Sequence, residues 1–119
     1  MSGNQEPVIK HTSQVIYATL DSEKKAYIKY SVEGNVMKLI STYTPPEFRG
    51  RGIAGKLVEY AIKLAENNNW LIEPICSYAV YYFMKNKEKR YILVDRFKNM
   101  NEEEWKKAFE EALGRERGG

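Results

Sequence analysis

The hydrophobic pattern of this chain changes between residues 44 and 55 from strand-like to helical spacing, and that change restricts the folds open to it. A period-two apolar run ends near Tyr43, and from Ile53 apolar residues recur at intervals of three and four, as on one face of a helix. A further strand-like run follows at residues 70–76. Because a strand–helix–strand connection is right-handed and joins parallel strands, the two flanking strands are expected to lie parallel in one sheet.

The turn between the first of these strands and the helix, residues 44–55, contains Gly50, Gly52 and Gly55. Glycines permit backbone angles that a Cβ resists, and they leave the amides uncovered. A helix start adds unpaired N–H groups and about half a positive charge. The turn therefore predicts a site for a phosphate-bearing ligand, although close packing alone can also require glycines. The spacing matches a dinucleotide fingerprint, but its place late in the chain does not, and the P-loop order is absent.

The remaining patterns predict one α+β domain with a mixed, mostly antiparallel sheet. Short strands at hairpin spacing form a meander at residues 8–11, 14–20, 25–32 and 36–43. The central helix, with a stripe at Leu57, Val58, Ala61, Ile62 and Ala65, ends near residues 67–69.

The C-terminal third is predicted to hold two helices and a strand. The first helix has Ser77 as N-cap and ends near Asn86, and residues 91–94 form the last strand. Asn101 and Glu104 form a capping box for the second helix, which Gly114 ends. This helix is expected to dock on the sheet of its own chain, with a dimer contact as the alternative.

Composition bounds the setting. A single cysteine excludes an internal disulfide, residues 1–7 are polar with no apolar segment behind them, and no apolar run reaches the ~20 residues of a membrane span. A cytoplasmic protein without a membrane or metal partner is predicted. The net charge of +3 is dispersed and gives no clear nucleic-acid signal. His11 is the only histidine, and a surface position is expected for it rather than a catalytic one.

The motif Arg-x-x-Gly-x-Ala at Arg49, Gly52 and Ala54 resembles the pyrophosphate-binding motif of the GNAT superfamily of N-acetyltransferases. The segments 36–45 and 74–78 extend the likeness to the small single-domain, YjdJ-type members. The resemblance covers residues 8–94 and implies a GNAT-like acyl-CoA N-acyltransferase fold. Residues 1–7 lack apolar periodicity and are expected to form a flexible tail, and the helical extension at 95–119 is a departure from the small members of the family. The resemblance also implies that the two parallel strands splay apart and admit the pantetheine arm.

The resemblance further implies that acetyl-CoA or coenzyme A is the cofactor and that an amine, such as a protein lysine or N-terminus, accepts the acetyl group. A monomer or homodimer is expected. The alternative is a non-catalytic CoA-binding or protein-interaction module. The residues expected to bind the cofactor are Tyr43, Thr44, Arg49, Gly50, Arg51, Gly52, Ile53, Ala54, Gly55, Lys56, Cys76, Tyr82 and Asn86.

Cys76 is the candidate catalytic residue. It ends the crossover strand just before a helix start, where a helix dipole can favour the thiolate, and a cysteine at this place has been considered an acetyl-accepting nucleophile in the family. The alternative is a buried apolar residue that lines the pantetheine channel. The family's proton-donating tyrosine falls on Phe83, and Ser41 stands where a histidine is common, so the general acid and base are not identified.

Overall fold

The computed structural model describes residues 7–118, which form a five-stranded sheet and four α-helices. The strands are β1 (Ile9–His11), β2 (Val15–Thr19), β3 (Lys25–Glu33), β4 (Val36–Tyr43) and β5 (Leu71–Pro74). The helices are α1 (Ile53–Asn68), α2 (Ser77–Lys85), α3 (Asp95–Lys98) and α4 (Glu102–Gly118). Short 3-10 segments lie at Asp21–Glu23, Pro46–Phe48 and Lys87–Ile92.

The strands follow one another across the sheet in chain order. Strands β1 to β4 are antiparallel neighbours, whereas β5 pairs parallel to β4, from Val36 opposite Leu71 to Leu39 opposite Pro74. Helix α1 connects β4 to β5. The predicted meander, crossover and α+β class are therefore confirmed.

The core lies between one face of this sheet and the helices. The predicted α1 stripe is buried, with four of its residues at 0% exposure and Ile62 at 3%. It packs against alternate residues of the strands, each fully buried: Ile16, Ala18, Ala26, Ile28, Met37, Leu39 and Ile72. The apolar face of the sheet, with every second residue of each strand, thus packs on the apolar face of the helix, with residues three and four apart.

A bulge in β4 changes which of its side chains face this core. Tyr30 pairs with Leu39 and Lys29 pairs with Ser41, so Ile40 is an extra residue with no opposite partner. Residues directly opposite each other share a face of the sheet, and Thr42 lies opposite the buried Ile28. The bulge therefore turns Thr42 toward the side of the sheet that carries the core.

Strands β4 and β5 stop pairing next to the bulge, at Leu39 and Pro74. The N–H groups of Ile75 and Cys76 both donate to the Leu39 carbonyl, at 3.0 and 3.1 Å, and the pairing between the two strands ends there. Beyond this point β4 continues to Tyr43, while the chain after β5 enters α2. A gap thus opens between the two parallel strands, as the resemblance implied.

The predicted strand at residues 91–94 is wrong. This region continues the 3-10 segment Lys87–Ile92, and Leu93 forms a single parallel bridge with Ile72. The side chain of Arg90 explains the difference, because its Nε donates to the Phe83 carbonyl at 2.8 Å and its Nη2 to the Met84 carbonyl at 3.2 Å. These bonds fold the segment back on the end of α2 and satisfy carbonyls left open there.

The capping box at the start of α4 is confirmed. The Asn101 N–H donates to Glu104 Oε1, and the Glu104 N–H donates to Asn101 Oδ1, both at 2.8 Å. The predicted end at Gly114 is wrong, because the helix continues to Gly118. Its last turns are held from outside, since Arg115 Nη2 donates to the Ile75 carbonyl at 2.9 Å.

Helix α4 packs mainly on α2 rather than on the sheet, which corrects the expected docking. Trp105 is fully buried against Phe97, with ring centroids 5.5 Å apart, and Phe109 meets Tyr81 at 5.9 Å. Helix α3 was not predicted. The tail expected at residues 1–7 lies almost wholly outside the described residues, and among the described helices none is long and apolar enough to cross a membrane.

Candidate functional site

The glycine turn adopts the conformation that its composition predicts. Gly50 has a φ of 81° and Gly52 a φ of 79°, both in the left-handed region. A Cβ added to either would meet no heavy atom within 4 Å, so the requirement for glycine is conformational rather than steric. Gly52 is the N-cap of α1 and has no side chain to cap the first amides of the helix.

Gly55 plays a different part from the one expected. It lies within the first turn of α1 and has no positive φ, so the interpretation of it as a turn residue is wrong. A Cβ at this position would come within 3.5 Å of the Tyr78 hydroxyl. That separation is an ordinary van der Waals contact, so the space does not require glycine, and Gly55 marks the place where Tyr78, in the first turn of α2, meets the first turn of α1.

A cleft of about 670 Å³ opens beside this turn. Its volume lies in the range of about 300–1,000 Å³ that is usual for small-molecule sites. The end of β4, the 3-10 segment after it and the starts of α1 and α2 form its walls, together with one residue of α4. The lining residues are Thr42, Tyr43, Thr44, Phe48, Arg49, Gly50, Gly52, Ile53, Ala54, Gly55, Ser77, Tyr78 and Glu116.

Eight of the thirteen residues expected to bind the cofactor line this cleft: Tyr43, Thr44, Arg49, Gly50, Gly52, Ile53, Ala54 and Gly55. Arg49 is oriented at its edge, because its Nε donates to the Thr44 carbonyl at 2.8 Å.

The other five expected residues, Arg51, Lys56, Cys76, Tyr82 and Asn86, are not part of the lining. The guanidinium of Arg51 lies 5.2 Å from the centre of the Phe48 ring. Burial, the largest cause, raises the pKa of Tyr82 to about 12, and Asn86 Nδ2 donates to the Tyr82 carbonyl at 2.8 Å. Asn86 is thus the C-cap of α2, and its side chain bonds to the Tyr82 carbonyl in the last turn of that helix.

Cys76 lies at the gap between the two parallel strands, with its Sγ 3.1 Å from Thr42 Oγ1. Only 3% of the residue is exposed. Burial raises the pKa of the Cys76 thiol above its ordinary value, the hydrogen bond between Cys76 and Thr42 opposes this shift, and the charge of Glu116 adds to it. The thiolate that a helix start was expected to favour is therefore disfavoured, and the thiol is neutral near pH 7.

The sequence interpretation missed several cleft residues, among them Ser77, Tyr78 and Glu116. The predicted N-cap is wrong, because Cys76 occupies that position. The Ser77 N–H instead donates to Glu116 Oε2 at 2.8 Å, and its Oγ donates to Glu116 Oε1 at 2.7 Å. Tyr78 could have been found from its place in the first turn of a helix after the crossover strand. Glu116, 39 residues from Ser77, carries no local signal.

Two further positions are explained by the fold. Phe83, at the family's tyrosine position, is fully buried and packs edge-on against Tyr82. His11 is exposed, as expected, and its Nδ1 is 2.6 Å from the Tyr60 hydroxyl. It is not part of the cleft lining.

Comparison with known proteins agrees with this geometry. A family model described as GCN5-related N-acetyl-transferase matches residues 15–92. The NMR solution structure of a "GCN5-like putative N-acetyltransferase" from Staphylococcus aureus superposes with a TM-score of 0.61 at 26% sequence identity, over 78% of this chain and 91% of that chain. The matched region contains the glycine turn, the gap between β4 and β5, and α2, whereas α3 and α4 follow it. The chain therefore belongs to the GCN5-related N-acetyltransferase family of acyltransferases.

Proposed function

We propose that this protein binds acetyl-CoA in the cleft and transfers the acetyl group to an amine. One observation carries the proposal: a left-handed glycine turn at the start of α1 opens onto a cleft that reaches Thr42, at the gap between the two parallel strands. An anion-binding helix start and an open strand edge are thus parts of one cavity.

The glycine turn suits the pyrophosphate. Its amides and the α1 dipole act together on an anion, and Arg49 adds a charged donor at the cleft edge. The strand edge suits the pantetheine arm. In the described part of the chain, no strand pairs with this edge of β4 beyond Leu39, so backbone groups of residues 42–44 can bond an extended ligand as another strand would.

The described residues favour direct transfer over a covalent enzyme intermediate. When bound, acetyl-CoA would supply an acetyl group activated as a thioester. Cys76 is buried and neutral, so its role in this proposal is to line the end of the gap beside Thr42. Nucleophilic use would require a thiolate, which neither its burial nor the nearby Glu116 favours.

Tyr78 is the proposed proton donor to the departing thiolate. Two tyrosines line the cleft, and Tyr43 is 41% exposed and packs on Tyr27. Tyr78 instead lies between the starts of α1 and α2, and burial, the largest cause, raises the pKa of its hydroxyl. The hydroxyl therefore holds its proton at neutral pH, as a general acid must before transfer.

A CoA-binding module without transferase activity is the second candidate. The observation that favours it is Phe83, which is fully buried where the resemblance places the usual acid. An assay of acetyl-CoA with lysine-containing peptides, with release of the free thiol of CoA as the readout, separates the two candidates, because only a transferase releases the thiol. The cytoplasmic setting, the oligomeric state and the domain limits at residues 7 and 94 stay predictions.

The binding site can be tested with two glycines in matched conformations. Gly34, in the β3–β4 hairpin, has a φ of 60° and, like Gly52, has open space around its added Cβ. Aspartate tolerates the left-handed region better than most residues do, so Gly34→Asp and Gly52→Asp carry comparable strain and the same charge. Calorimetric titration with CoA compares both variants with the wild type.

We expect Gly52→Asp to weaken CoA binding at least about tenfold, because it places a carboxylate beside the proposed pyrophosphate site. Gly34→Asp should bind CoA as the wild type does. Equal affinities for Gly52→Asp and the wild type would remove the turn from the site. No heat of binding with the wild type would refute the proposed function.

A further inference from the structure

The cleft contains an anionic side chain that an anionic cofactor does not explain. Glu116 belongs to α4, lines the cleft and is exposed. The glycine turn and Arg49 supply positive potential in the same cleft. One cavity thus carries groups of opposite sign, and a single anionic ligand would be attracted by one set and repelled by the other.

Glu116 is held in a defined position. Its two oxygens accept hydrogen bonds from the N–H and the Oγ of Ser77, at 2.8 and 2.7 Å, at the first residue of α2. The neighbouring Arg115 anchors the same turn of α4 to the Ile75 carbonyl at 2.9 Å. An ionised carboxylate offers about four acceptor positions, so about two are left for a ligand in the cleft.

The position of Glu116 is close to the place where the proposed chemistry occurs. Ser77 follows Cys76, whose thiol lies at the gap between β4 and β5, and the charge of Glu116 acts on that thiol. Tyr78, which also lines the cleft, presents an aromatic ring beside the same helix start. A carboxylate held in a cleft with open acceptor positions stabilises an organic cation through charge-assisted hydrogen bonds.

We propose that Glu116 binds the protonated amine of the acetyl acceptor as it enters the cleft. The amine releases one proton to solvent before its nitrogen attacks the thioester carbonyl, and the carbon–sulfur bond then breaks as the departing thiolate takes the proton of Tyr78. The inference rests on the proposed function and names its substrate class: an alkyl primary amine that is charged at neutral pH, as a lysine side chain is. An aromatic amine, neutral at that pH, lacks the charge that Glu116 would bind, so its acetylation should not depend on Glu116. The acceptor-binding group comes from α4, which follows the region that the family model matches.

The test uses Glu116→Gln in the full-length protein. Glutamine keeps an oxygen that accepts from Ser77 and removes only the charge. Glu110→Gln, on the same helix, makes the identical change at an exposed residue outside the cleft lining. The substrates are acetyl-CoA with a peptide that has a blocked N-terminus and one lysine, and acetyl-CoA with aniline. Thermal melting checks that both variants are folded.

We expect Glu116→Gln to raise KM for the lysine peptide roughly ten- to hundredfold, as loss of a charge-assisted hydrogen bond should. CoA affinity, the aniline reaction and all values for Glu110→Gln should stay within about twofold of the wild type. In the wild type, KM for the lysine peptide should rise with salt, because an exposed charge pair is screened. This last measurement needs no variant and so does not depend on the folding of Glu116→Gln.

Three outcomes would overturn the inference alone: an unchanged KM for the lysine peptide in Glu116→Gln, an equal rise in Glu110→Gln, or a wild type that acetylates aniline and no lysine peptide. Failure of the wild type to bind CoA, or to acetylate either amine, would instead refute the proposed function, and the inference would fail with it.

Discussion

Trp105 offers the sharpest test of whether α4 is part of the folded unit. The residue is fully buried, its ring meets that of Phe97 at 5.5 Å, and the Arg90 guanidinium lies 4.5 Å from the ring centre. Truncating a buried tryptophan to alanine costs about 3–5 kcal/mol through lost burial and the cavity left behind. At about 4 °C per kcal/mol for a chain of this length, Trp105→Ala should lower Tm by roughly 12–20 °C.

Trp105→Phe should behave differently, for a reason that the indole nitrogen supplies. Within residues 7–118, Trp105 Nε1 is buried and has no hydrogen-bond partner. An unsatisfied buried donor costs about 1–3 kcal/mol, and phenylalanine removes it. The smaller ring loses about 1–2 kcal/mol of packing. The two effects nearly cancel, so the free energy of unfolding should change by about 1 kcal/mol or less.

Thermal melts and urea titrations followed by far-ultraviolet circular dichroism measure both variants, since that signal does not depend on the tryptophan. Lys107→Ala, at an exposed position on the same helix, is the control and should leave Tm nearly unchanged. A shift of only a few degrees in Trp105→Ala would refute the claim that α4 contributes to the core. A Trp105→Phe protein as unstable as Trp105→Ala would show that the indole N–H is satisfied.

Two further predictions concern the chemistry. Tyr78→Phe should lower kcat roughly a hundredfold and leave the affinity for CoA unchanged. Tyr81 lies outside the cleft lining, so Tyr81→Phe should leave kcat unchanged. Equal kcat values for Tyr78→Phe and the wild type would exclude Tyr78 as the proposed acid. Acetyl-CoA without an amine should leave no acetyl group on Cys76, and Cys76→Ala should keep most turnover; a hydroxylamine-labile acetyl-Cys76 found by mass spectrometry would contradict this. Because the folded-state pKa of Cys76 is raised, its folded state holds the proton more tightly. The stability of the wild type relative to Cys76→Ala should therefore be constant below the ordinary cysteine pKa and fall as pH rises above it, as paired melts from pH 7 to 10 would show.

Much of the fold follows from local patterns. The alternation in β2 and β3 and the three-and-four spacing from Leu57 to Ala65 place the apolar residues on the faces that become buried. The crossover then follows from the handedness of strand–helix–strand units. The left-handed angles at Gly50 and Gly52 are equally local, because they are a property of a residue without a Cβ.

Elements decided by distant contacts were predicted less well. The 91–94 segment is apolar enough for a strand, but Arg90 bonds to carbonyls of α2 and folds the chain back before a strand can form. Gly114 is a common helix terminator, yet α4 continues past it because Arg115 and Glu116 bond to Ile75 and Ser77. In both cases tertiary hydrogen bonds override a local preference of about 1 kcal/mol.

In the cleft, too, some residues could be predicted from local sequence, whereas others depend on distant contacts. The glycine turn and Arg49 could be located from sequence, since a helix start and its flanking residues are contiguous in the chain. Thr42 reaches the gap because a bulge at Ile40 shifts the face of β4, and Glu116 reaches it because α4 packs back on α2. A one-residue shift in strand register and a contact across 39 residues leave no periodic trace in the sequence, because they depend on which surfaces pack together once the chain has folded.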